Sequence, residues 1–175
     1  MMGKGLPLVI PDADVIIHLL EFGLWETIIS QFRVQVPTTV AKKEVTHYSP
    51  QHDPSSKKYI DLTTETRIEM IDPGVDDLTT TKSQIDRFST TREIHDGEFY
   101  CISAVYTDPS SESLLCLKDA AAIYVSVLIG LKERLLSIEA LLQKCSLKIP
   151  LPYPLSEKRF SKIVQEAEAE RIQKL

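Results

Sequence analysis

Near its N-terminus the chain reads Leu8-Val9-Ile10-Pro11-Asp12-Ala13-Asp14-Val15-Ile16-Ile17. The first apolar run predicts a buried strand and the second predicts a helix, so a pair of carboxylates lies where a strand passes into a helix. Three further acids, Glu44, Glu98 and Asp119, occur in similar settings at or just after strand-like runs. Carboxylates at strand ends can converge at one edge of a sheet. The recurrence therefore predicts a cluster of oxygen ligands that suits a hard divalent cation such as Mg²⁺ or Mn²⁺.

The composition is typical of an ordinary globular protein. Of the 175 residues 43% are hydrophobic and 26% are charged, which predicts one domain with an appendage. No apolar run approaches the ~20 residues that a membrane span requires, and the N-terminus lacks the charged and apolar blocks of a signal peptide. We therefore expect a cytoplasmic protein with no membrane contact. The cysteines Cys101, Cys116 and Cys145 have no CxxC spacing and are expected to be buried free thiols.

The overall charge is not that of a general nucleic-acid binder, which usually presents a basic surface. The formal net charge is -5, although part of it belongs to the acidic cluster, which a metal would offset. Basic residues near the acids in sequence could hold a nucleic acid or could be ordinary solvated surface charges. They are Lys42, Lys43, Lys57, Lys58, Arg87 and Arg92.

Strand-like and helix-like runs alternate along the chain. Strands are predicted at 6–10, 33–36, 67–71, 114–117 and 134–138, and helices at 14–22, 24–32, 75–88, 96–106, 119–129 and 139–145, with a further helix that carries Glu44. The alternation predicts a three-layer α/β/α domain with a mostly parallel sheet over residues 1–149. In such a domain the functional edge lies beyond the carboxyl ends of the strands.

The last part of the chain, residues 150–175, is predicted to be a Pro-rich linker followed by an amphipathic helix. Pro150, Pro152 and Pro154 would make the linker stiff. An apolar stripe at helical spacing then needs a surface to cover, which could be its own domain, a second copy of the chain or a separate protein. The stripe consists of Phe160, Ile163, Val164, Ala167 and Ile172.

Each acid also has a purely structural explanation. Asp12, Asp14 or Asp119 could cap the helix that follows it, because Asp accepts a free backbone N–H there. Glu98 could interact favourably with a helix dipole. Glu44 could be an exposed helix residue beside two lysines. These separate explanations are less convincing when the four acids are considered together, because all four follow the same pattern along the sequence.

In order, the four settings resemble those of the PIN-domain ribonucleases, a family that includes the toxins of bacterial and archaeal toxin–antitoxin pairs. The resemblance spans about residues 6–147 and implies a metal-dependent endoribonuclease that hydrolyses RNA phosphodiester bonds with Mg²⁺ or Mn²⁺. It also implies a homodimer and an antitoxin protein as a partner. The segments that carry it are Val9-Ile10-Pro11-Asp12-Ala13-Asp14, residues 34–45, Asp96-Gly97-Glu98 with the helix through Ala104, and residues 114–121, which lead to Gly130.

The same resemblance implies roles for individual residues. Asp12, Glu44, Glu98 and Asp119 would be catalytic and hold the metal, with Asp14 and Asp96 as further ligands, whereas Lys42, Lys43 and Lys118 would bind RNA. The chain departs from the family just before its last acid, where Leu117 and Lys118 replace Thr and a second Asp. If the four carboxylates meet, their mutual repulsion should raise the pKa of at least one of them.

Two other functions are compatible with the same residues. Asp12 and Asp14 after a strand also resemble the nucleophile and the acid/base of haloacid-dehalogenase-like phosphatases, but this interpretation leaves Glu44 and Glu98 without a role. The second alternative is a non-catalytic PIN-like module that binds RNA or a protein. Metal titration would distinguish it from an enzyme.

Overall fold

A parallel five-stranded sheet forms the centre of the computed structural model, which describes residues 6–175. Residues 1–5 of the predicted domain lie outside this part. In chain order the elements are β1 (Leu8–Pro11), α1 (Ala13–Glu21), α2 (Trp25–Gln31), β2 (Arg33–Pro37), a π-helical turn (Val40–Glu44), β3 (His47–Tyr48), β4 (Lys58–Tyr59), β5 (Ile68–Ile71), α3 (Val75–Asp86), α4 (Asp96–Tyr106), β6 (Leu114–Cys116), α5 (Ala120–Leu128), β7 (Leu135–Leu136), α6 (Ile138–Lys144) and α7 (Glu157–Lys174), with short 3-10 turns at Leu62–Thr64, Lys132–Arg134 and Tyr153–Leu155.

The strand order of the sheet is β5-β2-β1-β6-β7, and every neighbouring pair is parallel. The chain first moves from β1 to β2 and β5, and then returns to the other side of β1 for β6 and β7. Because parallel crossovers are right-handed, this reversal places α1 and α2 on one face and α4 and α5 on the other. The predicted three-layer α/β/α architecture with a mostly parallel sheet is therefore confirmed.

The reversal of strand order occurs between β1 and β6, which are direct neighbours. The helices that follow these two strands leave toward opposite faces of the sheet, so the carboxyl ends of β1 and β6 border a crevice. Open α/β sheets bind their ligands at such a switch point. The fold thus provides one favoured location for a site, and both Asp12 and Asp119 lie there.

Two glycines end helices where the chain must turn. Gly23 has φ +70 and Gly130 has φ +96, a left-handed conformation in which a side chain is strained. Gly23 separates α1 from α2, and Gly130 follows α5. After Gly130, the N–H of Leu131 bonds back to the carbonyl of Ser126 at 2.9 Å, which satisfies a carbonyl near the helix end.

The C-terminal helix α7 packs on α5, the most buried helix of the protein. Ala167 is fully buried and Val164 nearly so, while Phe160 and Ile163 pack against the same core. The predicted apolar stripe therefore covers its own domain over most of its length. Ile172 is not part of this contact: it is 75% exposed, because it follows Ala167 by five residues and therefore lies on a different face of the helix.

Several local features differ from the sequence-based expectation. The polar stretch after Glu44 contains a short antiparallel hairpin, β3–β4, that the hydrophobic pattern did not predict. The predicted strand 134–138 is only two residues long because Arg134 belongs to the preceding turn, where its guanidinium donates to the carbonyls of Val105 at 2.7 Å and Ser113 at 3.0 Å. All three cysteines are buried and free, as predicted. Within the described residues, no helix has both the length and the apolar composition to cross a bilayer.

The packing of α7 predicts different effects for two alanines in the same helix. Ala167 is fully buried and Ala169 is exposed. Ala167→Asp would place an unpaired charge against α5 and should lower the free energy of unfolding by about 3 kcal/mol or more. Ala169→Asp has a similar helix-propensity cost and should lose less than about 1 kcal/mol. Urea denaturation measures both. Equal losses would contradict the packing of α7 on the domain.

Candidate functional site

The buried carboxylate of Asp12 connects the ends of the two central strands. Its Oδ1 accepts a hydrogen bond from the N–H of Val15 at 2.8 Å, which caps α1, and its Oδ2 accepts from the N–H of Lys118 at 3.3 Å. The side chain is 1% exposed. Burial raises the pKa of Asp12 from 3.8 to about 8, with further increases from the negative charges of Glu98 and Asp14, although the two backbone N–H groups oppose the shift. A neutral residue could also cap α1, so the helix cap alone does not explain why an acid is buried at position 12.

Glu98 approaches the same crevice from the first turn of α4. It is 8% exposed, and its Oε2 accepts a hydrogen bond from the backbone N–H of His95 at 3.0 Å. Burial is the main reason that the pKa of Glu98 is raised, and the negative charges of Asp119 and Asp14 add to it. Glu98 therefore lies within electrostatic range of both strand-end acids, Asp12 and Asp119.

Glu44 reaches this region because a glycine leaves space for it. Glu44 is the last residue of the π-helical turn after β2, and its carboxyl group lies against Gly97 in the first turn of α4. A Cβ atom on Gly97 would overlap the carboxyl oxygens of Glu44. Burial raises the pKa of Glu44, the backbone of Gly97 opposes the shift, and the charges of Asp96 and Asp14 add to it. Gly97 is thus a positioning residue for Glu44.

Asp119 lies at the carboxyl end of β6 and caps α5. Its Oδ1 accepts from the N–H of Ala122 at 3.0 Å, and the residue is partly exposed. The two further predicted ligands, Asp14 and Asp96, are exposed at the rim of the crevice. Asp14 forms an ion pair of 3.4 Å with the Nζ of Lys118. The four main acids therefore come from four separate segments of the chain and lie in one electrostatic neighbourhood.

The raised pKa values agree with the sequence-based prediction, but the expected cause was not the main one. For Asp12, Glu44 and Glu98 the largest contribution is burial, and repulsion between carboxylates is smaller. Among residues 6–175, no three His, Cys, Asp or Glu side chains are arranged so that they could hold one metal ion together. The acids thus share a crevice without forming a ready-made coordination shell.

The predicted RNA-binding lysines have different surroundings. Lys42 and Lys43 are exposed on the same π-helical turn as Glu44. Lys118 is at the centre of the site: its N–H donates to Asp12, its Nζ pairs with Asp14, and its carbonyl oxygen accepts a 2.9 Å hydrogen bond from the guanidinium of Arg159. The backbone of Lys118 therefore links Asp12, which it reaches through its N–H, to Arg159 of α7, which it reaches through its carbonyl oxygen.

Sequence reasoning missed three residues that shape this crevice. Arg159 of α7 holds the carbonyl next to Asp119, and no local pattern could indicate a contact with a residue 41 positions away. His95 donates its backbone N–H to Glu98, and its position directly before the Asp96-Gly97-Glu98 motif was an available signal. Cys101 lies beneath the acids, where burial raises its pKa well above the usual range, so it remains a neutral thiol.

A search of the chain against family models, curated proteins and solved structures finds no match in any of the three comparisons.

The raised pKa of Asp12 predicts how stability depends on pH in the metal-free protein. Between about pH 4 and pH 8 the folded state keeps a proton that the unfolded chain has lost. The stability from this proton is fully present below pH 4 and is lost as the pH rises through about 8. The Asn side chain of Asp12→Asn cannot ionise. The free energy of unfolding of this variant, taken relative to that of the wild type, should therefore increase by at least about 2 kcal/mol between pH 5 and pH 9. Chemical denaturation in EDTA at several pH values measures this difference.

The matched control is Asp76→Asn, because Asp76 is exposed in the first turn of α3 and is not among the charges that shift the pKa of Asp12, Glu44 or Glu98. Its stability relative to the wild type should stay nearly constant over the same pH range. If Asp12→Asn behaves like Asp76→Asn, Asp12 is not protonated in the folded protein at neutral pH.

Proposed function

We propose that the protein is a metal-dependent endoribonuclease that hydrolyses RNA phosphodiester bonds with Mg²⁺ or Mn²⁺. The observation that carries this proposal is that Asp12, Glu44, Glu98 and Asp119 share one crevice beside the switch point of the sheet, with the first three at raised pKa. Acids whose ionised forms are disfavoured by burial, gathered in a crevice, are typical of functional sites. The resemblance of the same four segments to PIN-domain ribonucleases supports the same conclusion.

The chemistry of the donor set fits a hard divalent cation. The four acids offer only carboxylate oxygens, which Mg²⁺ and Mn²⁺ prefer, and a cation beside them would favour the ionised forms that burial disfavours. Asp12, Glu44, Glu98 and Asp119 would hold the ion, with Asp14 and Asp96 as further ligands from the rim. Because no three potential ligands among residues 6–175 surround a common point, side chains would have to turn toward the ion.

The chain's own residues would have three tasks. A bound divalent ion supplies an acidified water and offsets the negative charge that develops on the scissile phosphate. Glu44, partly exposed and of raised pKa, is suited to accept a proton from the attacking water through a carboxyl oxygen. Lys42 and Lys43 would hold neighbouring phosphates, and the Nζ of Lys118 would exchange its pairing with Asp14 for a phosphate oxygen. The N–H groups of Val15 and Lys118 would keep the Asp12 carboxylate oriented.

The geometry disfavours a phosphatase that uses Asp12 as its nucleophile. Both oxygens of Asp12 accept backbone hydrogen bonds, and the residue is 1% exposed. A carboxyl group whose two oxygens are both engaged and covered is poorly placed to attack a phosphate. Three acids of raised pKa in one crevice favour an enzyme over a non-catalytic module. An antitoxin partner, which would make the protein a toxin, and a homodimer remain predictions of the family resemblance.

The proposal predicts that two acids at the strand ends are indispensable. Asp12→Asn and Asp119→Asn should each lower cleavage of single-stranded RNA by at least about 100-fold, because each removes a charged oxygen ligand without changing the size of the side chain. The fold should remain, since Asn accepts the N–H of the capped helix as Asp does. At position 12 the amide nitrogen cannot accept the second hydrogen bond, from Lys118, so circular dichroism checks that this variant is folded. A gel assay with a labelled RNA in Mn²⁺, repeated in excess EDTA, measures the effect. Asp76→Asn should cleave like the wild type. Full activity of both variants, or activity in EDTA, would refute the mechanism.

A second prediction tests the role of Gly97. Gly97→Ala should displace the carboxyl group of Glu44 and lower cleavage by about 10- to 100-fold. The variant should be as stable as the wild type or slightly more stable, because Ala favours the helix. The matched control is Gly74→Ala, where an added Cβ would come no closer than 3.5 Å to another side chain. Unchanged cleavage by Gly97→Ala would show that the position of Glu44 does not matter for catalysis.

A further inference from the structure

The β3–β4 hairpin carries an aromatic and basic surface that the proposed catalytic site does not use. Its strands pair His47 with Tyr59 and Tyr48 with Lys58. Tyr59 is 78% exposed, although it is one of the largest side chains of the hairpin. The Nζ of Lys57 lies 5.4 Å from the centre of the Tyr59 ring, and the ring of His47 lies 6.3 Å from it. The hairpin therefore presents an aromatic ring between cationic or ionisable groups.

This surface has a small local excess of positive charge, although the formal net charge of the chain is -5. Lys57 and Lys58 are exposed on the hairpin, and Lys42 and Lys43 are exposed on the π-helical turn that leads into it. Between residues 42 and 61 these four lysines outnumber the acids Glu44, Asp53 and Asp61 by one. Such a region attracts a polyanion.

The hairpin is fixed beside the catalytic crevice. His47 follows Glu44 by three residues, so their Cα atoms are at most about 11 Å apart. The N–H of Ile60 donates to the carbonyl of Thr46 at 3.0 Å and closes the base of the hairpin, where the His47–Tyr59 pair lies. The loop beyond β3 is attached to the end of α1 by a 2.9 Å hydrogen bond from the N–H of Gln51 to the carbonyl of Glu21. Tyr59 thus has a defined position near Glu44.

We propose that this hairpin surface, formed by Lys42, Lys43, His47, Lys57, Lys58 and Tyr59, binds single-stranded RNA, with one base stacked on Tyr59 and the lysines on the phosphates. The identification of this RNA as the substrate rests on the proposed function. Aromatic platforms with adjoining cations are how proteins hold single strands without reading their sequence. A duplex fits less well because its bases are already stacked on each other and cannot reach the ring.

The test measures RNA binding rather than cleavage. A fluorescently labelled single-stranded RNA of mixed sequence is titrated with the protein in EDTA, and anisotropy gives the Kd. Tyr59→Ala should raise the Kd by about tenfold, whereas Tyr59→Phe should bind like the wild type, because stacking needs the ring and not the hydroxyl group. The double variant Lys57→Gln, Lys58→Gln should weaken binding and reduce the slope of log Kd against log salt by about 0.7 for each phosphate that the variant no longer neutralises.

The matched control removes two lysines elsewhere. Lys144 and Lys148 are exposed at and after the end of α6, and α6 begins at the carboxyl end of β7 and runs away from the catalytic edge. The variant Lys144→Gln, Lys148→Gln changes the net charge equally and should leave the Kd within about twofold of the wild type. Equal weakening by both lysine pairs would overturn the proposal, since binding would then follow net charge alone. A Kd unaffected by Tyr59→Ala would also overturn it.

Two further measurements separate this inference from the proposed function. Polyaspartate of matched charge should compete poorly with the RNA; equal competition would mean that the surface recognises any acidic polymer, including an acidic protein, and would overturn the assignment to RNA. In Mn²⁺, Tyr59→Ala should raise KM for RNA cleavage and leave kcat nearly unchanged. Tyr59-dependent binding without any cleavage would refute the nuclease and support the binding surface. RNA cleavage by a protein whose Kd does not depend on Tyr59 would support the nuclease and refute the binding surface.

Discussion

The arrangement of the site depends on the two hydrogen bonds that the buried carboxylate of Asp12 accepts. One comes from the N–H of Val15 at the start of α1 and the other from the N–H of Lys118 after β6. These bonds join the two turns that border the crevice, so the same side chain that would hold a cation also fixes the distance between the central strand ends. Burial makes this carboxylate expensive to ionise. A neutral residue such as Ser or Asn could cap α1 without this cost, so stability alone does not explain a buried acid at this position.

The structural and the functional explanations of the acids turn out to be compatible. Asp12 and Asp119 do cap helices, and Glu98 does accept a backbone N–H at the start of α4. Each of these hydrogen bonds holds one oxygen of a carboxyl group at the start of a helix. Glu44 is the exception, because it lies at the end of a π-helical turn and is placed by the absence of a side chain on Gly97. Helix starts thus position three of the acids, and one irregular turn positions the fourth.

The sequence predicted those parts of the fold that depend on local patterns. The helix Asp96–Tyr106 has the predicted bounds, and the strands before Asp12 and Asp119 lie where apolar runs precede an acid. The hairpin could not be predicted because its strands have two residues each and are held by the base at Thr46 and Ile60 rather than by an apolar pattern. Ile172 is exposed because its five-residue spacing from Ala167 places it on a different face of α7. The raised pKa values of the acids come mainly from burial rather than from mutual repulsion. Burial depends on how the chain packs around the acids, and the spacing of residues in the sequence does not show this.

The C-terminal helix shows why composition alone misjudges the role of a segment. Residues 150–175 look like an appendage, yet side chains of α7 donate to three backbone carbonyls of the domain before residue 150: Arg159 to Lys118 at 2.9 Å, Arg171 to Leu128 at 3.1 Å and Lys174 to Phe88 at 2.7 Å. Lys118 directly precedes Asp119, Leu128 ends α5, and Phe88 begins the connection that leads to α4 and Glu98. Charged donors to carbonyls are among the stronger hydrogen bonds in proteins. Because these three anchors lie on both segments that deliver acids from this face of the sheet, α7 restrains the geometry of the crevice from outside it.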